Sequence, residues 1–150
     1  MAVETTDKAF VERLERDYKE IEFRWGCSRF SYQLRNGKKV VFLGPAQPNF
    51  ALLALHELGH ALCGHKDYST HVQRLKIESE AWERAKTVFS KYQIMADAPE
   101  WDEDFVQAEM DTYRDWLHTK SRCKKCGLTR YQTENGEYHC PRCENFCLAY

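Results

Sequence analysis

The residues best suited to chemistry form the pentapeptide His56-Glu57-Leu58-Gly59-His60, inside an apolar run from Phe50 to Cys63. On an α-helix, residues four apart lie on the same face, so the two imidazoles could bind one zinc ion. Glu57 lies about 100° around the helix, where it could accept a proton from a water molecule beside the metal. The alternative is a pair of core histidines bonded to backbone carbonyls, with Glu57 reaching solvent. The complete H-E-x-x-H pattern favours the metal site.

Four cysteines near the C-terminus form a second group with metal-binding spacing. Cys123 and Cys126 make one C-x-x-C pair, Cys140 and Cys143 make another, and thirteen residues separate the pairs. Asn135-Gly136 between them predicts a hairpin turn. Two such pairs on a hairpin are typical of a zinc ribbon, in which four thiolates close a structural site. The sequence therefore predicts two zinc ions per chain, one catalytic and one structural; Cys147 stays unassigned.

A catalytic zinc needs a third protein ligand and an open position. His65 follows His60 at the wrong spacing for the H-E-x-x-H-x-x-G-x-x-H pattern, and His71 stays possible. Glu78 is the better candidate, because it falls on the apolar face of a predicted helix, where an acid needs a partner. Glu80 would point to the polar side of that helix and is the reserve. A salt bridge from Glu78 to Arg74 is the alternative without metal.

Periodicity predicts an α+β fold, with a small antiparallel sheet packed on the H-E-x-x-H helix and on further helices. The predicted elements are a helix from Thr6 or Asp7, strands at 21–25, 29–35 and 38–43, a helix between Asn49 and Gly64, a helix over 71–93 and a last helix from Pro99. Asn36-Gly37 predicts a hairpin between the last two strands. The predicted domains are 1–119, a minimal metallopeptidase, and 120–150, the ribbon.

Composition describes an ordinary globular protein. The 150 residues are 43% hydrophobic and 30% charged, with a formal charge of −1, so no overall basic excess indicates nucleic acid. The longest unbroken apolar run, Phe50 to Leu55, is too short to cross a bilayer, and the N-terminus lacks an apolar signal core. We therefore expect a cytoplasmic protein with no membrane partner.

The pair of motifs H-E-L-G-H and E-x-E-A resembles the ImmA/IrrE family of zinc metallopeptidases over roughly residues 18–92. The resemblance implies a small sheet with helices and a gluzincin-type site of two histidines and one glutamate. The first glutamate of E-x-E-A is the family's constant one, which maps to Glu78. Trp82 stands where members often have asparagine. Several members cleave DNA-binding repressors, so the resemblance implies a protein substrate of that kind.

The leading functional expectation is a zinc endopeptidase acting on one cytosolic, regulatory protein. One alternative is a SprT-like protease acting on DNA-bound proteins, a family that takes a histidine as third ligand. Another is a non-catalytic zinc-binding interaction protein of a mobile element. Tyr68, His71 and Tyr113 are possible transition-state donors, and nothing in the sequence ranks them. The ribbon could contact nucleic acid through basic and aromatic side chains. These are Lys120, Arg122, Lys124, Lys125, Arg130, Arg142, Tyr131 and Tyr138.

Overall fold

A computed structural model describes residues 2–96 and 98–144. Its elements in chain order are α1 (Thr5–Asp17), β1 (Ile21–Arg24), β2 (Ser31–Arg35), β3 (Lys38–Phe42), α2 (Phe50–Cys63), α3 (His71–Ser90), α4 (Glu103–Ser121), β4 (Tyr131–Gln132) and β5 (Tyr138–His139). The predicted α+β class is confirmed. No helix in the described ranges is both long enough and apolar enough to cross a membrane.

Helix α2 runs through the centre of the core. Most of its residues are buried, and α1, β2, β3 and α3 all pack against it. It starts at the predicted position, but Asn49 has a left-handed backbone (φ 61°) and its side chain makes no capping hydrogen bond. Gly64 ends the helix with φ 67°, a conformation that glycine adopts without steric cost. The chain therefore turns sharply just beyond His60.

Helix α3 lies against α2 and carries Glu78. The Thr70 side chain accepts from the Gln73 backbone N–H, and the Gln73 side chain accepts in return, so a capping box fixes the first turn. The sequence predicts a cap at either Ser69 or Thr70, and in the structure the cap is Thr70. The helix ends at Ser90, three residues before the predicted end at Gln93. Its buried face consists of Glu78, Ala81, Trp82, Ala85, Val88 and Phe89.

The expectation of an antiparallel sheet is wrong in one pairing. The strand order is β1-β3-β2, with β2 antiparallel to β3 and β1 parallel to β3. The Asn36-Gly37 hairpin joins β2 and β3 as predicted, with positive φ at both residues. Parallel strands need a long connection, and the chain between β1 and β3 is long enough because it includes β2. Strand β2 is consequently an edge strand.

Helix α4 begins later than predicted. Pro99 lies before the helix, and Asp102 is the cap, with its side chain accepting from the Phe105 backbone N–H at 2.9 Å. The helix buries Val106 and Met110 and packs on α3. An aspartate with carboxylates in the following turn suits a helix N-terminus better than the proline three residues earlier.

Residues 122–130, which include Cys123 and Cys126, connect α4 to the C-terminal hairpin of β4 and β5. Since α4 continues to Ser121, the division at 119/120 falls within its last turns, and the two-domain division stays a prediction. The hairpin contacts α3, where the Gln132 side chain accepts from the His71 backbone N–H at 2.7 Å. Tyr138 Oη lies 2.7 Å from His71 Nδ1. Cys147 lies outside the described residues.

Candidate metal centre and cleft

Three side-chain atoms converge from α2 and α3. His56 Nε2 lies 2.9 Å from Glu78 Oε2, His60 Nε2 lies 3.3 Å from the same oxygen, and the two nitrogens are 3.2 Å apart. A tetrahedral zinc with nitrogen and oxygen ligands at its usual bond lengths places donors about 3.3 Å apart. The predicted ligands His56, His60 and Glu78 thus form a group with the spacing that one zinc ion requires.

The charge states of this group also fit a divalent cation. Burial lowers the pKa of His56, against the opposing effect of Glu78, so the imidazole stays neutral and keeps a lone pair. Burial opposes ionisation of Glu78, but hydrogen bonds to His56 and His60 outweigh it and hold the pKa of that carboxyl far below its usual value. A neutral imidazole and a carboxylate are both donors that zinc accepts.

Close packing of the two helices explains how Glu78 reaches the histidines. A Cβ added at Gly59 would collide with the carbonyl oxygen of Ala81 on α3. Glycine at this position therefore lets the α2 and α3 backbones touch. Glu78 lies one turn before Ala81, and its carboxylate reaches across this contact to His56 and His60.

Glu57 lies in the same cleft but outside the group of three donors. The cleft has a volume of about 820 Å³, and its lining includes His56, Glu57, His60 and Glu78. Burial raises the pKa of Glu57 to about 7, with a smaller raising effect from Glu78 and a lowering effect from His60. A carboxyl with that pKa can both accept and release a proton near neutral pH.

The structure separates the three possible donors. Tyr113 and Tyr68 line the cleft, whereas His71 does not and instead contacts Tyr138 of the hairpin. Burial, followed by the negative charge of Glu78, raises the pKa of Tyr113, so its phenol keeps the proton it would donate. Tyr113 is half-buried whereas Tyr68 is 42% exposed, so Tyr113 is the better candidate.

Arg74 makes no salt bridge within 4 Å in the described chain, so the alternative pairing with Glu78 does not form. Its guanidinium lies over three aromatic rings, at 4.8 Å from Trp116, 5.4 Å from Tyr113 and 5.5 Å from Tyr68. Cation–π contacts compensate a partly buried cation. Arg74 also lines the cleft, so it contributes positive charge there.

Sequence reasoning missed the residues that surround His56 and His60. His60 Nδ1 lies 2.9 Å from His65 Nδ1, and His65 Nε2 lies 3.0 Å from Glu80 Oε2. The Trp82 ring stacks on His56, with centroids 4.3 Å apart. The sequence presents His65 and Glu80 only as possible ligands. The signal for their contact with His60 is that His65 directly follows Gly64, the glycine that ends α2. Neither His65 nor Glu80 belongs to the group of three donors.

The four predicted cysteines form the second candidate metal site. Cys123 Sγ lies 3.9 Å from Cys143 Sγ, and Cys126 Sγ lies 3.5 Å from Cys140 Sγ. These separations are too long for disulfides and match the sulfur spacing of about 3.8 Å in tetrahedral zinc–thiolate sites. Backbone N–H groups of Cys126 and Lys125 lower the pKa of Cys123 to about 6. The arrangement is compatible with a zinc ribbon.

Comparisons with protein-family models, with curated proteins and with solved structures find no match for this chain. The functional argument therefore depends on the fold and on the two groups of side chains that could hold a metal ion.

Proposed function

We propose that this protein is a zinc-dependent endopeptidase of the ImmA/IrrE type, with a structural zinc in its C-terminal ribbon. One observation carries the proposal. The donor atoms of His56, His60 and Glu78 lie within 3.3 Å of one another, and Glu57 borders the same cleft without joining them. A site used only for structure is closed by its ligands, whereas a catalytic site keeps an open side and a nearby base.

Zinc bound by these residues supplies Lewis acidity, both toward water and toward a peptide carbonyl. Glu57 accepts the proton of the attacking water and passes it to the leaving amine, a role that suits a pKa of about 7. Tyr113 keeps its proton and donates a hydrogen bond to the oxygen on which negative charge develops. Glu57→Gln is expected to lower kcat by about 10²- to 10⁴-fold.

The cleft suits an extended peptide. Strand β2 pairs only with β3 in the described chain, and residues 29–34 line the cleft that contains His56. A substrate segment can add to this edge as a further strand, with its backbone hydrogen bonds providing affinity independent of sequence. Such binding needs an unfolded or loop segment, which restricts the enzyme to selected proteins. We propose a cytoplasmic, regulatory DNA-binding protein as the substrate.

The third ligand distinguishes the proposal from its closest alternative. A SprT-like protease takes a histidine there, but His65 and His71 both lie outside the group of three donors. The ribbon nevertheless presents exposed cations at Lys124, Lys125 and Arg142, which could contact either a protein substrate or the nucleic acid to which it is bound.

A substrate trap tests the proposal. Glu57→Gln should retain both zinc ions and hold a substrate uncut, so tagged Glu57→Gln protein is used to capture proteins from a cell lysate. The captured proteins are then incubated with wild type, and new N-termini are identified by mass spectrometry. Cleavage at a defined bond by wild type, and none by a His56→Ala, His60→Ala variant, supports the proposal. Captured proteins that remain intact with wild type would favour a non-catalytic zinc-binding protein.

A further inference from the structure

Two residues outside the donor group form a hydrogen-bonded chain that ends on His60. His60 Nδ1 lies 2.9 Å from His65 Nδ1, and His65 Nε2 lies 3.0 Å from Glu80 Oε2. The His65 side chain is only 10% exposed, so it is held in place by its surroundings. Lys76 lies 3.7 Å from the other oxygen of Glu80 and anchors that carboxylate from the solvent side.

The turn at the end of α2 builds this chain. Gly64 has φ 67°, and the His65 backbone N–H donates to the His60 carbonyl at 3.1 Å. This capping bond folds residue 65 back over the last turn of the helix. The two imidazole rings consequently meet at a centroid distance of 5.1 Å.

Only one arrangement of protons satisfies both hydrogen bonds while leaving His60 able to bind a metal. His60 must keep the lone pair of Nε2, so its proton is on Nδ1 and is donated to His65. Nδ1 of His65 is then the acceptor, and its own proton is on Nε2, donated to Glu80. Each residue thus fixes the tautomer of the previous one, and the chain ends on a carboxylate.

His56 is held differently. Its Nδ1 finds no hydrogen-bond partner in the described part of the chain, and the ring lies instead against the indole of Trp82. Packing orients His56, whereas hydrogen bonds orient His60. A hydrogen-bond acceptor behind a ligating histidine fixes the ring and makes the metal-binding nitrogen more basic.

We propose that His65 and Glu80 are positioning residues that fix the tautomer of His60 and thereby set the zinc affinity of the His56/His60/Glu78 site. The inference rests on the metal site of the proposed function, but it does not require peptide hydrolysis. Glu80 acts only through His65, so the two residues form a single unit. Removal of either should weaken zinc binding about 10- to 100-fold, as is usual for partners of metal ligands.

The test measures zinc affinity by competition with a chromophoric chelator on the full chain, with the ribbon zinc as an internal reference. The variants are His65→Ala, Glu80→Ala, the double variant and Glu80→Gln. The amide of Glu80→Gln can still accept the bond from His65, so partial rescue is expected. Glu83→Gln is the matched control for the Glu80 variants, because its side chain lies exposed on the same helix, α3, and does not line the cleft. His118→Ala, at an exposed position of α4 that also does not line the cleft, is the control for the loss of a histidine.

We expect 10- to 100-fold weaker zinc binding in both single alanine variants and no further loss in the double variant. In ¹⁵N NMR of the zinc-loaded protein, the Nδ1 proton of His60 should lose its hydrogen-bonded shift in His65→Ala. Affinities within twofold of wild type, or losses that multiply in the double variant, would overturn the proposal. If His65→Ala does not fold, the zinc affinities of Glu80→Ala and Glu80→Gln are compared. Weaker binding in Glu80→Ala than in Glu80→Gln supports the proposal, and equal binding overturns it. The zinc-affinity measurement involves no peptide. It can therefore refute the role of His65 and Glu80 independently of whether the protein hydrolyses peptides.

Discussion

At the scale of single residues, two carboxylates on facing helices have their pKa values moved in opposite directions. Burial raises the pKa of Glu57, while bonds to two histidines lower that of Glu78. Groups with pKa values pushed apart in one cleft are suited to different roles. Glu78 is ionised and suited to hold a cation; Glu57 is suited to exchange a proton.

The raised pKa of Glu57 predicts a pH-dependent stability difference. The folded state binds this proton more tightly than the unfolded state, so its contribution to stability is full below about pH 4.5 and is lost as pH rises through about 7. Glutamine does not titrate, so Glu57→Gln does not lose this stability as pH rises. With the His/His/Glu site emptied by a mild chelator, the variant should be more stable than wild type at pH 8 by about 1–3 kcal/mol.

The difference should shrink when the denaturation is repeated at pH 5.5. Other titrating groups are common to both proteins and cancel in the comparison. A difference in unfolding free energy that is the same at both pH values would mean that Glu57 titrates normally.

The assignment of Glu78 as ligand predicts zinc content. Wild type should hold about two equivalents, and Glu78→Ala about one, because two histidines alone leave the first site too weak. Glu80→Ala should still hold about two equivalents when zinc is well above its dissociation constant, although its affinity falls. Elemental analysis of protein gel-filtered in buffer with zinc at that concentration, after subtraction of the zinc in the buffer, measures this. Two equivalents of zinc in Glu78→Ala, together with one equivalent in Glu80→Ala, would show that Glu80 is the ligand and Glu78 is not.

At the scale of elements, the site depends on how closely α2 approaches α3. Gly59→Ala should separate the helices, because the added methyl group meets the Ala81 carbonyl rather than a flexible side chain. We expect a loss of about 3 kcal/mol of stability and weaker zinc binding, since Glu78 moves with α3.

Gly37→Ala is the matched control, since φ is 76° there and the added Cβ has open space around it. That variant should lose about 1 kcal/mol from backbone strain alone and bind zinc normally. Chemical denaturation measures the stability of both variants, and a zinc competition assay measures their zinc affinity. Equal zinc affinity in Gly59→Ala and wild type would show that the close approach is not needed.

Local signals in the sequence predicted what depends on local structure. The Asn36-Gly37 hairpin, the Thr70 cap and the burial of Glu78 all follow from neighbouring residues and helical period. The parallel pairing of β1 could not be predicted, because strand order depends on where the chain crosses the sheet. The contact of His65 with His60 also escaped, since it depends on the direction in which Gly64 turns the chain. The predicted start of α4 at Pro99 was wrong because a stronger cap follows at Asp102.

At the scale of the whole molecule, the hairpin of β4 and β5 contacts the first turn of α3, the helix that carries Glu78. His71 Nδ1 lies within hydrogen-bond distance of Tyr138 Oη, and burial lowers the pKa of His71, with further lowering by Lys120 and Arg74. The Gln132 side chain binds the backbone of the same residue. A zinc ribbon of this size has little core of its own and depends on its metal for folding.

This contact predicts different effects for two tyrosines of one hairpin. Tyr138→Phe should cost about 1 kcal/mol of stability, because a partly buried hydrogen bond to His71 is lost. Tyr131→Phe should be nearly neutral, because Tyr131 is 54% exposed. Thermal unfolding of the zinc-loaded proteins compares them. Equal stability of the two variants would argue against docking of the hairpin through Tyr138.

The most direct test of the central claim, peptide hydrolysis at the His56/His60/Glu78 site, is digestion of a proteome-derived peptide library. Zinc-loaded wild type, Glu57→Gln with the same zinc content, and chelator-treated wild type are compared by mass spectrometry of new termini. We expect a restricted set of cleavages by wild type that zinc restores after chelation, and none by Glu57→Gln. Identical digests from zinc-loaded wild type and Glu57→Gln would contradict it.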